Sequence, residues 1–175
     1  MMMNSKYIYQ KANSIVRRAG TRDPKRIASE LGIEIYYNGN LVDLLGLYTL
    51  IKKKRAIVLN NRLEDYMLMM VLAHEIGHDA LHREYAKNGA LQEFELFNMN
   101  DLKEYEANAF AAHLLLDTDE VLDLCYGGAD VASIASEMCV NINLVLIKIN
   151  ELIKLGYDLR MPLDTKKDFL KDIRV

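Results

Sequence analysis

Three of the chain's four histidines fall in one short run, "VLAHEIGHDALH", as His74, His78 and His82, each four residues from the last. The run also contains H-E-x-x-H, with Glu75 beside His74. On a helix, residues four apart share a face one turn apart, so the imidazoles of His74 and His78 can both reach one zinc ion at ~2.0–2.1 Å. Glu75 lies about 100° round the helix from His74, since a turn holds about 3.6 residues. It can reach a water on the metal without ligating the metal, which is the position of a general base in zinc-dependent hydrolysis. His82 continues the face but cannot join the same site. Eight residues of helix place it ~12 Å along the axis from His74, whereas ligands of one tetrahedral zinc sit only about 3–4 Å apart. His82 is therefore a neighbour, either an outer partner of the site or a plain packing histidine.

A hydrolytic zinc site needs a third protein ligand and an open position. The next helical stretch, "DLKEYEANAFAAHLLL" (101–116), offers Glu104, Glu106 and His113. Two residues apart on a helix, the glutamates point about 200° from each other, so only one faces the metal. Glu104 shares its face with Ala107, Asn108, Ala111 and Leu115, a mostly small-residue face able to press against the histidine helix at Gly77. Glu106 shares a bulkier face with Phe110, His113 and Leu114. Close packing around one ion favours Glu104. His113 would complete a three-histidine site, but it sits more than two turns further along.

These residues need elements to hold them. Residues 5–19 show helical spacing of apolar positions up to Gly20, and Asp23, Pro24 and Gly32 frame a second helix. "IEIYY", "LLGLYTLI" (44–51) and "RAIVLNN" (55–61) read as strands, the last two joined in a hairpin through the basic run 52–55. From about Glu64 to Arg83 the pattern is one long, mostly apolar helix, in which three polar side chains together require a shared reason. Residues 84–100 read as a loop. Asn100 or Asp101 caps the next helix, and 118–156 is helical, with breaks at 127–128 and near 139–141. The fold class expected is α+β: a small, mostly antiparallel three-stranded sheet on a zincin-like active-site helix, then a helical C-terminal subdomain. The division expected is 1–118 for the metallopeptidase-like domain and 119–175 for the helices and a polar tail.

The bulk properties restrict function further. The 175 residues are about half apolar, with a net charge of −3 and a pI near 5.8. That balance gives no electrostatic footprint for nucleic acid or an anionic membrane. Cys125 and Cys139 form neither a C-x-x-C pair nor a disulfide framework, and both read as small buried residues. No apolar run approaches membrane-spanning length and the N-terminus lacks a signal-peptide pattern, so a reducing cytoplasm is expected.

Taken together, the motifs resemble the ImmA/IrrE family of small zinc metallopeptidase-like proteins over most of residues 21–117. "DPKRIASELGIEI" is similar to the family's opening helix and strand, and "GLYTLIKKKRAIVLNN" to its hairpin ending in an Asn. "LAHEIGHDALH" is similar to its L-A-H-E-x-x-H segment with a later His, and "EYEANAFAAHLLL" to its E-x-x-A-N-x-F-A-A-x-L-L segment. The chain departs from the pattern at Asp117, where Pro often follows, and at Met69-Met70-Val71, where Arg-Phe-Thr-like residues are usual. The resemblance implies Glu104 as third zinc ligand. It also implies a role in relieving repression, by cleaving or otherwise inactivating a partner helix-turn-helix repressor of a phage or mobile element.

The expected chemistry is peptide hydrolysis with Zn²⁺ on His74, His78 and Glu104 and with Glu75 as general base. Tyr105, His113 and Tyr126 are candidate oxyanion donors, and substrate is expected to add along an exposed sheet edge. The alternative is a non-proteolytic, zinc-containing protein that relieves repression by binding alone. The segment 129–156 loosely resembles a helix-turn-helix. Its second helix is dense in Ile, Leu and Val, with Lys148 and Lys154 as its chief cations, so packing or protein docking is favoured over DNA recognition.

Overall fold

The computed structural model describes residues 4–41, 44–86, 91–93 and 101–161. Helices α1 (Ser5–Ala19) and α2 (Pro24–Leu31) open the fold, capped by the side chains of Asn4 and Asp23 and ended at Gly20 and Gly32. Strands β1 (Glu34–Asn38), β2 (Gly46–Ile51) and β3 (Lys54–Asn60) follow, then the histidine helix α3 (Asp65–Ala86). A short strand β4 (Leu91–Glu93) precedes α4 (Leu102–Leu115), α5 (Thr118–Tyr126), α6 (Val131–Glu137) and α7 (Ile142–Lys154). Asp101 caps α4, its carboxylate accepting from the Lys103 N–H at 2.7 Å.

The architecture is α+β, with one mixed sheet in the order β1-β3-β2-β4. The basic run makes the expected hairpin turn. Ile51 pairs with Lys54, and Lys52 and Lys53 between them take positive φ (50° and 68°), the primed-turn backbone that matches strand twist. β1 pairs with β3 in parallel, Tyr36 opposite Val58. The three strands read from the sequence are all present, and β4 is a fourth. It pairs antiparallel with β2, Leu47 opposite Gln92, in a stretch the sequence pattern presents as loop. Three residues are too few to show a two-residue alternation.

α3 lies on the sheet and α4 packs against α3, with α1 and α7 covering α4. Residues 70–79 of α3 and 105–114 of α4 are buried throughout, so each helix is enclosed on all sides. The buried apolar residues form one cluster running from Ile8 to Leu152. α6 and α7 turn through 111°, and α7 buries Leu144–Ile149 together with Glu151 and Leu152. Lys148 is 0% exposed, so one of the two cations that a groove-reading helix would present lies inside the protein.

Among the described residues, no single helix is long and apolar enough to cross a membrane. The expectation of two buried cysteines fails at Cys139, which is exposed in the turn after α6, while Cys125 is half-buried. The polar tail from residue 162 onward lies outside the described residues.

Candidate metal centre

α3 and α4 cross where α3 has no side chain. A Cβ on Gly77 would lie 3.1 Å from the carbonyl oxygen and 3.2 Å from the Cα of Ala107. Gly in a helix interior costs about 1 kcal/mol relative to Ala, and here it brings two backbones together. That approach carries Glu104, at the start of α4, to the two histidines of α3. His74 Nε2 is 3.1 Å and His78 Nε2 3.4 Å from Glu104 Oε2, and the two Nε2 atoms are 2.9 Å apart. One ligand atom from each residue lies within 4.8 Å of the others, and among the described residues this group alone could hold a metal ion.

The remaining ring nitrogens determine what these atoms are. Asn108, one turn after Glu104, places Oδ1 2.9 Å from His74 Nδ1, where it accepts a hydrogen bond from Nδ1–H. His78 Nδ1 lies 3.0 Å from His82 Nδ1, and His82 Nε2 donates to Glu106 Oε2 at 2.9 Å. With Nδ1–H on both rings, the two Nε2 lone pairs and the Glu104 carboxylate converge on one point, between two buried histidines and a partly exposed glutamate. Such a cluster of donors is mutually repulsive, and a cation relieves it. Two neutral imidazoles and one carboxylate are a zinc donor set of the hydrolytic kind, so the residues fit the metal. Burial, opposed mainly by the hydrogen bond to Glu104, pushes His78 down to about 4, which keeps it in the neutral, ligating form at neutral pH.

Glu75 is fully buried, against the sheet. A Cβ on Gly46 of β2 would lie 3.1 Å from Glu75 Oε1 and 2.7 Å from Val71 Cγ1. One turn on, Asp79 is anchored to the same sheet. Tyr48 donates to its Oδ1 at 2.7 Å, Arg55 to its Oδ2 at 3.0 Å, and Arg83 to both oxygens.

The structure brings the expected His74, His78 and Glu104 together, and Glu75, next to His74 on α3, turns towards β2. Glu106, the other glutamate of α4, lies against His82 and outside the three-residue group. His82 joins the site's periphery through His78. The three candidate oxyanion donors point elsewhere. The Tyr105 hydroxyl donates to Glu151 and accepts from Asn150 and Lys154 on α7. His113 Nδ1 meets Lys148 Nζ at 3.2 Å, and Tyr126 is 63% exposed at the end of α5. Sequence reasoning missed the roles of Gly46, Tyr48 and Asp79. A glycine inside a strand was the available signal, since it often marks close backbone approach.

An α+β fold with a buried H-E-x-x-H helix and a carboxylate from the following helix defines a metallopeptidase-type domain. The IrrE N-terminal-like domain of the Peptidase_M78 family matches residues 28–150, well over half of the chain, and the chain belongs to this family. It is also similar to "Uncharacterized immunity region protein 2" of Bacillus phage phi105, at 32% identity over 102 residues. That match covers 58% of this chain and 63% of the phage protein's length.

Proposed function

We propose that this protein is a zinc-dependent metallopeptidase of the ImmA/IrrE type. It cleaves a peptide bond in a regulatory protein, a helix-turn-helix repressor of the phage or mobile-element kind. The observation that carries this reading is the convergence of His74, His78 and Glu104 on one point, with Glu75 next to His74 on the same helix. The phage relative's name, an immunity region protein, supports the repressor as partner.

His74, His78 and Glu104 would hold the zinc, leaving a position open in a gluzincin-like arrangement. Zinc bound there supplies Lewis acidity towards water and towards a peptide carbonyl. Glu75 takes the proton of the attacking water and delivers it to the leaving amine. Asn108 and His82 keep the imidazoles in the tautomer that presents Nε2. An extended substrate segment adds to the sheet on its β4 side, near which Gly46 brings β2 against Glu75.

The test is incubation of the zinc-loaded protein with a helix-turn-helix repressor of the phage-immunity type. Fragments are expected from the parent. Glu75→Gln should retain zinc and cut about 10²–10⁴-fold more slowly, the usual worth of general acid–base catalysis. Equal cutting by both proteins would remove Glu75 from the mechanism. Repressor capture without fragments from either would replace proteolysis by relief through binding alone.

A further inference from the structure

We propose that His82 and Glu106 are positioning residues for the metal centre: Glu106 holds His82, His82 holds His78, and this chain of contacts fixes the ring and tautomer with which His78 meets the metal. The proposal rests on the metal-centre reading above and adds two residues to it.

The geometry is continuous. His78 Nδ1 donates to His82 Nδ1 at 3.0 Å, and His82 Nε2 donates to Glu106 Oε2 at 2.9 Å. Each nitrogen of His82 is thereby committed, which is why a histidine on the ligand face is not itself a ligand. With Nδ1 as acceptor, His82 must carry its proton on Nε2, and the carboxylate of Glu106 selects that tautomer. His78 must then carry its proton on Nδ1, which leaves Nε2 as a lone pair aimed at Glu104 and His74. One carboxylate on α4 thus sets the electronic form of a ligand on α3 through an intervening ring.

Backbone and burial both point to a built arrangement. α3 departs from helical geometry at one residue, His82 itself (φ −123°, ψ 15°). There the His78 and His82 rings lie 5.2 Å apart between centroids and tilted by 51°. His82 and Glu106 are each 2% exposed. Burying an imidazole and a carboxylate is costly unless both are partnered, and packing alone would be served better by apolar residues.

The two histidines of the centre are held differently. His74 is oriented by the neutral amide of Asn108, and His78 by a relay that ends on a charge. Outer partners of metal-ligating histidines orient the ring and raise its basicity, and losing one costs about 10–100-fold in metal affinity.

Three variants of the full chain test this: His82→Leu, His82→Asn and Glu106→Gln. The readouts are zinc affinity by chelator competition, the visible absorption of the cobalt-loaded protein, and thermal unfolding of the zinc-free protein. His82→Leu should bind zinc about 10–100-fold more weakly and shift the cobalt bands. His82→Asn should recover part of that loss, because its Oδ1 can replace Nδ1 as acceptor for His78. Glu106→Gln keeps the shape but removes the charge, and should fall between the parent and His82→Leu. If His82→Leu does not fold, Glu106→Gln decides the matter.

Zinc affinity and cobalt bands unchanged from the parent would overturn the relay alone. So would a lowered zinc-free melting temperature with unmoved bands, which would reduce the pair to a structural contact between helices. A parent that takes up no zinc would overturn the metal centre together with the relay.

Discussion

Glu75 lies close against the sheet because one atom is missing there: the Cβ of Gly46. That Cβ would stand 2.7 Å from Val71 Cγ1, 3.1 Å from Glu75 Oε1 and 3.4 Å from Leu59 Cδ2. Val71 is branched at Cβ and fully buried, so it has no rotamer into which to retreat. Gly46→Ala must therefore move β2 or α3. The expected cost is about 1–3 kcal/mol, typical of overpacking, read from urea unfolding of the zinc-free protein. On the proposed function, peptidase activity should fall further than zinc content, because the displaced group is the proposed general base. Unchanged stability with full activity would show that strand and helix do not press together here. The contrast with the ligands explains what was legible. His74, Glu75 and His78 lie within one helix, where sequence spacing converts directly into distance; the about 200° between Glu104 and Glu106 leaves one of them facing the histidines, and the small-residue face around Glu104 selects it. Gly46 touches residues on another element, and nothing in a strand glycine names its partner. Between the two readings of His82, outer partner or packing residue, the spacing could not choose for a different reason. The His82 backbone leaves the helix geometry from which any sequence argument must start.

Between elements, α3 and β2 are fastened at two points whose spacings agree. Gly46 and Tyr48 are two residues apart on a strand, ~6.8 Å. Glu75 and Asp79 are four apart on a helix, ~6 Å along the axis. Gly46 against Glu75 and Tyr48 on Asp79 are therefore one register, and the Asp79 anchor holds the Glu75 contact in place. The start of β2 is fixed in turn by Asn60, at the end of β3. Its side-chain amide donates to Leu41 O at 2.9 Å and Leu44 O at 3.0 Å, while its Oδ1 accepts from the Arg62 N–H. Its backbone N–H donates to Leu45 O. Asn60→Ala would leave two part-buried carbonyls without this donor, at about 0.5–1.5 kcal/mol for each hydrogen bond lost. Faster hydrogen exchange at Leu44 and Leu45, with exchange in α4 unchanged, would localise the loss. Uniform acceleration would show a general loss of fold instead. The hairpin was legible from its alternation and its basic turn. The parallel pairing of β1 with β3 was not, because strand order depends on which edge the hairpin offers, a tertiary choice. β4 was too short to carry a pattern.

At the scale of the molecule, Glu104 is positioned from both ends of the chain. α4 leaves its last carbonyls without helical partners, and two basic side chains distant in the sequence supply the donors. Arg22, between α1 and α2, donates to His113 O and Leu114 O at 3.0 and 2.9 Å and pairs with Asp117. Lys148, from α7, donates to Leu116 O and Thr118 Oγ1, both at 2.9 Å, and faces His113 Nδ1 at 3.2 Å. Lys148 is fully buried. Burial, reinforced by the charge of Arg22 and opposed by Asp117 and Asp119, pushes it down to about 7. Its ordinary value in an unfolded chain is about 10.4. Between those values the unfolded chain binds a proton that the folded protein does not, so this group makes stability rise with pH from about 7 towards 10 and fall as pH drops. His113 is held well below its ordinary value by burial and then by Lys148 and Arg22, so it titrates below this window. Lys148→Met removes the titration and also the donor to Leu116 and Thr118. The variant should be clearly less stable than the parent at pH 10, and the gap should narrow as pH falls to 7. Urea unfolding of both proteins across that range measures the difference and cancels every other titrating group. A gap that stays constant with pH would mean that Lys148 keeps its ordinary proton inside the fold. α7 would then be held by a buried charge, and the end of α4 would be clamped by two cations at neutral pH.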